Sequence, residues 1–139
     1  MLKDEHVALA RVADELGRLI AGDAPSDPAA LAACRWKLAR LVTQHLANED
    51  RQIYSRLYDP TSRLGSSVKR LADELGGLYA SFQQHITRWT GEAVRADWHG
   101  YRGETRALIR ALHDRIDREE RELYPLVEAA EASGTAKAA

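Results

Sequence analysis

A single cysteine, Cys34, rules out an internal disulfide and any zinc site built on cysteines. No apolar run approaches the ~20 residues that a helix needs to cross a bilayer. A dominant charge is lacking too: 20 Lys and Arg stand against 21 Asp and Glu. No overall field therefore draws nucleic acid or an anionic membrane surface. The opening MLKDEHVALA is charged and has no signal-peptide core, so the expected compartment is the cytoplasm. Strand signals are absent, because β-branched residues are sparse. No nucleophile–base pair, phosphate-cradling loop or nucleic-acid motif is present, so no enzyme of those classes is expected.

What remains is helix. Ala, Leu, Arg and Glu dominate a chain of 139 residues, 45% hydrophobic, long enough for one domain with a real core. The spacing predicts a first helix over 3–21, with Leu2, His6, Leu9, Ala13, Leu16 and Ile20 facing inward. A second, over 28–58, starts at Ser26 or Asp27 before Pro28 and turns Leu31, Cys34, Leu38, Leu41, His45, Glu49 and Ile53 inward. YDPTSRLGSS reads as a loop. Ser66 or Ser67 caps a third helix carrying Val68, Leu71, Leu75, Leu78, Phe82, His85 or Ile86, and Trp89. That helix fades over 91–96. Asp97 caps a fourth, with Tyr101, Leu108, Leu112, Arg115, Glu119 and Leu123 inward, continuing past Pro125. Short connections give an all-α, antiparallel up-down-up-down four-helix bundle over residues 1–130, with a flexible tail at 131–139.

Polar residues on those apolar stripes carry the information. HLANEDRQIY at 45–54 returns as RIDREERELY at 115–124, so Glu49 aligns with Glu119 and Tyr54 with Tyr124, but His45 with Arg115. At ~1.5 Å per residue, His6, His45, Glu49, Arg115 and Glu119 fall within a turn or two of one level. Imidazoles and carboxylates that converge from several helices match a bundle-core metal site. His85 is about 15 Å along its helix from that level and reads as a core residue. His113 faces away, towards the Asp117 side, and His99 sits at the wrong end. Gly76 and Gly77 suggest close helix approach, a kink or space for a small ligand, with close packing against Trp36 or Trp98 favoured, and Cys34 reads as an inert core thiol.

DEHVAL at 4–9, HLANEDRQIY at 45–54 and EERELYPLVE at 119–128 resemble the hemerythrin family of HHE cation-binding domains, over about residues 2–128. The resemblance implies a non-heme di-iron centre bridged by two carboxylates, serving oxygen, nitric oxide, redox stress or iron storage. Carried over by residue, His6 and His45 match ligands of the first iron, and Glu49 and Glu119 the bridges. The second iron's ligand positions hold Leu75, which has no donor atom, and Arg115, which cannot give up its proton to serve as a ligand. A guanidinium there would balance the two facing carboxylates.

Two readings follow. In the first, the site is degenerate, binding no metal or one ion, and the protein is a regulatory or binding module whose signal leaves through a protein partner. In the second, one iron or other divalent ion sits on His6, His45, Glu49 and Glu119 and senses oxygen, nitric oxide or redox stress. The first reading expects no di-iron centre; the second admits one metal ion or two. The sequence does not set the oligomeric state.

Overall fold

In the computed structural model, which describes residues 2–54 and 66–138, all the regular structure is helical. Helix α1 (Leu2–Leu19) buries His6, Leu9, Val12, Ala13 and Leu16, the spacing of a single inward stripe. Carbonyls at its C-terminal end have no partner within the helix. Those just past it are met from far along the chain: Arg102 Nε donates to Ile20 O at 2.8 Å and Trp98 Nε1 to Gly22 O at 3.0 Å.

Helix α2 (Pro28–Glu49) starts as expected, with Pro28 in its first turn and the Asp27 carboxylate accepting from the Ala30 N–H at 3.0 Å. Its buried side chains are Leu31, Cys34, Leu38, Val42, His45 and Glu49. Val42 takes the place expected of Leu41, which is half-buried at the margin of the stripe. A π turn, Asp50–Tyr54, extends α2. Residues 55–58 of the expected second helix, and the expected loop up to residue 65, lie outside the described residues.

The expected third helix is two: α3 (Ser66–Leu75) and α4 (Gly77–Arg88). Between them the Gly76 N–H bonds back to Asp73 O at 3.3 Å, a tighter turn than the α-helix makes. Of the roles expected for the glycine pair, the favoured one, close packing, is not found, and a break in the helix is. A Cβ at Gly77 would meet nothing within 4 Å, and one at Gly76 only its own helix's carbonyls at 3.5 Å. The glycines act instead through their weak helix propensity, which lets the helix break.

A short helix α5 (Gly91–Ala96) replaces the expected fading turn, capped by the Thr90 side chain. Helix α6 (Trp98–Arg118) begins at Asp97, whose carboxylate accepts from the Gly100 N–H at 2.9 Å. It passes through a π turn, Glu119–Leu123, into α7 (Tyr124–Ala138). The backbone of 131–138, expected as a flexible tail, continues that helix.

Long-range contacts tie the elements together. Cys34 on α2 lies against Val12 O on α1, His85 on α4 against Thr105 on α6, and Glu74 on α3 accepts from Arg118 at 3.1 Å. The buried apolar side chains form two clusters. One includes Leu9, Leu16, Leu38, Val42 and Leu112. The other holds Ile53, Val68, Leu75, Leu123, Tyr124 and Val127. On α2 the sequence runs from Val42 in the first cluster through His45 and Glu49 to Ile53 in the second. From α6 onward it runs from Leu112 through Arg115 and Glu119 to Leu123. A buried polar layer therefore separates two apolar ones. No helix among the described residues is long and apolar enough to cross a membrane.

Candidate metal centre

The two copies of the internal repeat deliver the two carboxylates, and each copy turns into π helix at its glutamate. Glu49 is the last residue of α2 before one π turn, and Glu119 opens the other. Both are essentially inaccessible, at 0% and 1% exposure, so their charge must be met inside the protein.

The two oxygens of each carboxylate face different partners. Glu49 Oε1 lies 2.9 Å from His45 Nε2, and Glu119 Oε2 lies 3.3 Å from His6 Nε2. The other oxygens take Arg115, whose Nη2 donates to Glu49 Oε2 at 3.0 Å and whose Nε donates to Glu119 Oε1 at 2.5 Å. The carboxylates thus bridge an imidazole pair on one side and a guanidinium on the other. Arg115 is itself buried, 6% exposed, and does not reach out to solvent.

The imidazole nitrogens face each other, His6 Nε2 to His45 Nε2 at 3.0 Å. Such a pair needs a proton or a cation between them. One donor atom each from His6, His45, Glu49 and Glu119 lies within 4.8 Å of all the others. Metal–nitrogen and metal–oxygen bonds of about 2.0–2.2 Å span donor pairs up to roughly 4.4 Å apart, so a small contraction suits one divalent ion. The far carboxylate oxygens are committed to Arg115, and Leu75 sits in the apolar cluster with Tyr124.

Two residues outside the expected set complete the centre. The Tyr124 hydroxyl lies 2.8 Å from Glu49 Oε1, 2.7 Å from Glu119 Oε2 and 3.1 Å from His6 Nε2. In a regular α-helix, residues five apart point about 140° from each other. Here the Tyr124 N–H bonds to Glu119 O, five residues back, and the widened turn brings both side chains to one face. Glu5 holds His45 from behind: Nδ1 donates to Glu5 Oε1 at 2.7 Å, which turns Nε2 towards the centre. Glu5 is fixed in turn by Asn48 at 2.8 Å. His6 Nδ1 points towards Glu120, 3.5 Å away.

These contacts set the protonation states of the metal-free centre. Burial opposes charge on His45, but hydrogen bonding to Glu119, Glu49 and Glu5 outweighs it and pushes the pKa up to about 10. Burial also works against ionised Glu119, and the imidazoles of His45 and His6 with the Arg115 charge override it, holding the carboxyl well below its usual range. Glu49 moves the other way, raised chiefly by burial, with neighbouring Glu119 adding to the effect. Burial and the two carboxylates keep the Tyr124 phenol protonated. Its one proton serves one carboxylate at a time, and a second proton held by Glu49 would complete the set.

A raised imidazole pKa stabilises the fold at low pH. The contribution of His45 is fully present below its unfolded value of about 6.5 and is lost as pH rises through about 10. The unfolding free energies of metal-free wild type and His45→Gln should therefore differ most below pH 6.5 and converge towards pH 10. Denaturant titrations in chelator at several pH values would check this. A gap that widens with pH would mean that His45 is neutral in the metal-free protein.

The remaining histidines stand away from the centre. His85 is buried beside Thr105 and Tyr101. His99 is exposed. His113 does not turn to the Asp117 side as expected; it pairs with Asp14 on α1 at 3.1 Å, near the surface. Cys34 is buried.

Comparison with family models matches residues 1–127 to the hemerythrin HHE cation binding domain. Neither the curated proteins nor the solved structures yield a match.

Proposed function

Because the chain belongs to the hemerythrin HHE cation-binding domain family, we propose that it is an up-down-up-down four-helix bundle of that kind with a half-erased metal centre, acting as a regulatory or binding module rather than an enzyme. One observation carries the reading. Arg115 occupies the far oxygens of both Glu49 and Glu119, where a second cation would be bridged. The guanidinium is a permanent, built-in replacement for that ion's charge. In the metal-free centre the imidazole of His45 and the guanidinium of Arg115 face the two carboxylates from opposite sides. The contacts of α1 with α2 and of α4 with α6 support the bundle topology. A protein partner in the cytoplasm is the expected receiver of its signal.

Metal content tests the reading. Protein reconstituted anaerobically with ferrous iron should hold no more than one ion per chain by elemental analysis. Chelated protein should stay folded, with a thermal midpoint within a few degrees of the loaded form. Two ions per chain, or unfolding on chelation, would overturn it.

The tight grouping of His6, His45, Glu49 and Glu119 favours a second reading, in which one ion is resident and the protein senses oxygen, nitric oxide or redox stress. Iron bound there would supply a gas- or redox-sensitive centre. Purification without chelators separates the two readings: close to one iron per chain favours the sensor, and a small fraction favours the metal-free module.

A further inference from the structure

The half of the bundle away from the metal centre contains a cavity of about 310 Å³. Among the described residues, none of the metal-centre side chains lines it. Thr105, on its wall, is ten residues from Arg115, about 15 Å along the helix. Most of the wall is apolar and includes Phe82, Trp89, Leu108 and Leu112. Trp36 and Ile86 also border it and are 77% and 39% exposed, so large apolar side chains flank its opening to solvent.

Arg35, Thr90, Thr105, Tyr101 and His85 interrupt the apolar wall, and the last two are the buried groups that matter here. Tyr101 is 0% exposed and His85 8%. Among the described residues, Tyr101 Oη and His85 Nδ1 have no partner of good hydrogen-bond geometry, although the Thr105 side chain is close enough to Tyr101 to act on its phenol. Native proteins leave few buried polar atoms in that state, and a ligand is one explanation for those that persist. Burial pushes the Tyr101 pKa up, so the phenol keeps its proton and can donate it. Burial lowers the His85 pKa, leaving a neutral ring. His85 Nε2 is 3.4 Å from Thr105 Oγ1. The charges nearby are the Arg35 guanidinium, 5.1 Å from the Tyr101 ring centre, and Glu104, 4.0 Å from His85 Nδ1. Glu104 also accepts from Trp89 Nε1 at 2.7 Å and pairs with Arg88 at 3.3 Å. Arg35 lines the cavity, with its Nη2 donating to Trp89 O.

A mainly apolar cavity of this size, with a few convergent polar groups, has the make-up of a small-molecule site. We infer that it binds a compact aromatic molecule carrying one acceptor oxygen. The ring packs among Phe82, Trp89 and Leu108, and the oxygen takes the Tyr101 hydroxyl proton. Arg35 on the same wall favours an anionic oxygen, as in an aryl carboxylate, over a neutral phenol. This site needs no metal and stands apart from the proposed function.

The test is calorimetric titration of the full chain with 2-naphthoate and, separately, 2-naphthol. One saturable site per chain is expected, with naphthoate binding more tightly and affinity in the micromolar to millimolar range. Tighter binding of naphthol would keep the site and make its ligand neutral. Tyr101→Phe should weaken both probes roughly two- to tenfold, the value of one hydrogen bond, without lowering the thermal midpoint of the free protein. Ala39→Phe, on the cavity wall, should fill the space and abolish binding in a folded protein. Metal removal by chelation should leave the affinity unchanged. No saturable heat with either probe up to about 1 mM overturns the inference. So does binding that survives unchanged in folded Tyr101→Phe or Ala39→Phe.

Discussion

Arg115→Ala should destabilise the metal-free protein by about 3–5 kcal/mol, the usual cost of removing one partner from a buried charge cluster. Its guanidinium is the only side-chain group among the described residues that hydrogen-bonds both far carboxylate oxygens. Truncation leaves Glu49 and Glu119 facing each other with His45 as the nearest cation, on the opposite side. Urea unfolding in chelator at constant pH measures the loss. Arg115→Lys should fall between the two, because an ammonium is a point charge and cannot span both carboxylates in the fixed fork of a guanidinium. Added divalent cation should recover part of the stability of Arg115→Ala, by binding the folded form alone. A loss below about 1 kcal/mol would show that a second carboxyl proton replaces the guanidinium at little cost, and that the charge-replacement reading is wrong.

The centre was legible in the sequence to the extent that α-helical spacing governs it. His6, His45, Glu49, Arg115 and Glu119 lie three or four residues from Leu9, Val42, Ile53, Leu112 and Leu123 of the core, and the structure brings all five together. Tyr124 was not legible as part of it, although the repeat pairs it with Tyr54. A regular helix turns a residue at i+5 away from Glu119, and only the π turn brings it back. Glu5 was hidden for another reason. An acidic residue in a first helical turn is adequately explained by the helix dipole, so nothing in DEHVAL distinguishes a histidine's carboxylate partner from a solvated one. The break at Gly76 belongs to a third kind. Glycine weakens a helix, but whether the chain then packs closely or bends depends on neighbours that the local sequence does not contain.

Installing donor side chains at residues 75 and 115 tests the proposal that half of the metal centre has been erased. In the double variant Leu75→His, Arg115→His, α6 acquires the His-x-x-x-Glu spacing that His45 and Glu49 show, with Nε2 and Oε1 at 2.9 Å. The third helix gains a donor at a suitable level: Glu74, beside Leu75, is held 3.1 Å from Arg118, beside Glu119. Removing Arg115 frees Glu49 Oε2 and Glu119 Oε1 and withdraws the positive charge that would repel a second cation. Iron per chain should therefore rise from no more than one in the parent towards two in the double variant, with the single variants between. Elemental analysis after anaerobic reconstitution gives the numbers. Without metal the double variant should be the least stable of the set, because it places an imidazole among Ile53, Val68 and Leu123 and leaves two buried carboxylates short of a cation. Iron should raise its unfolding midpoint more than the parent's, since the ion binds only the folded chain. A folded double variant that takes up no more iron than the parent would show that residues 75 and 115 do not face a common second site, and that Arg115 is an ion-pair partner rather than the replacement for a lost ion.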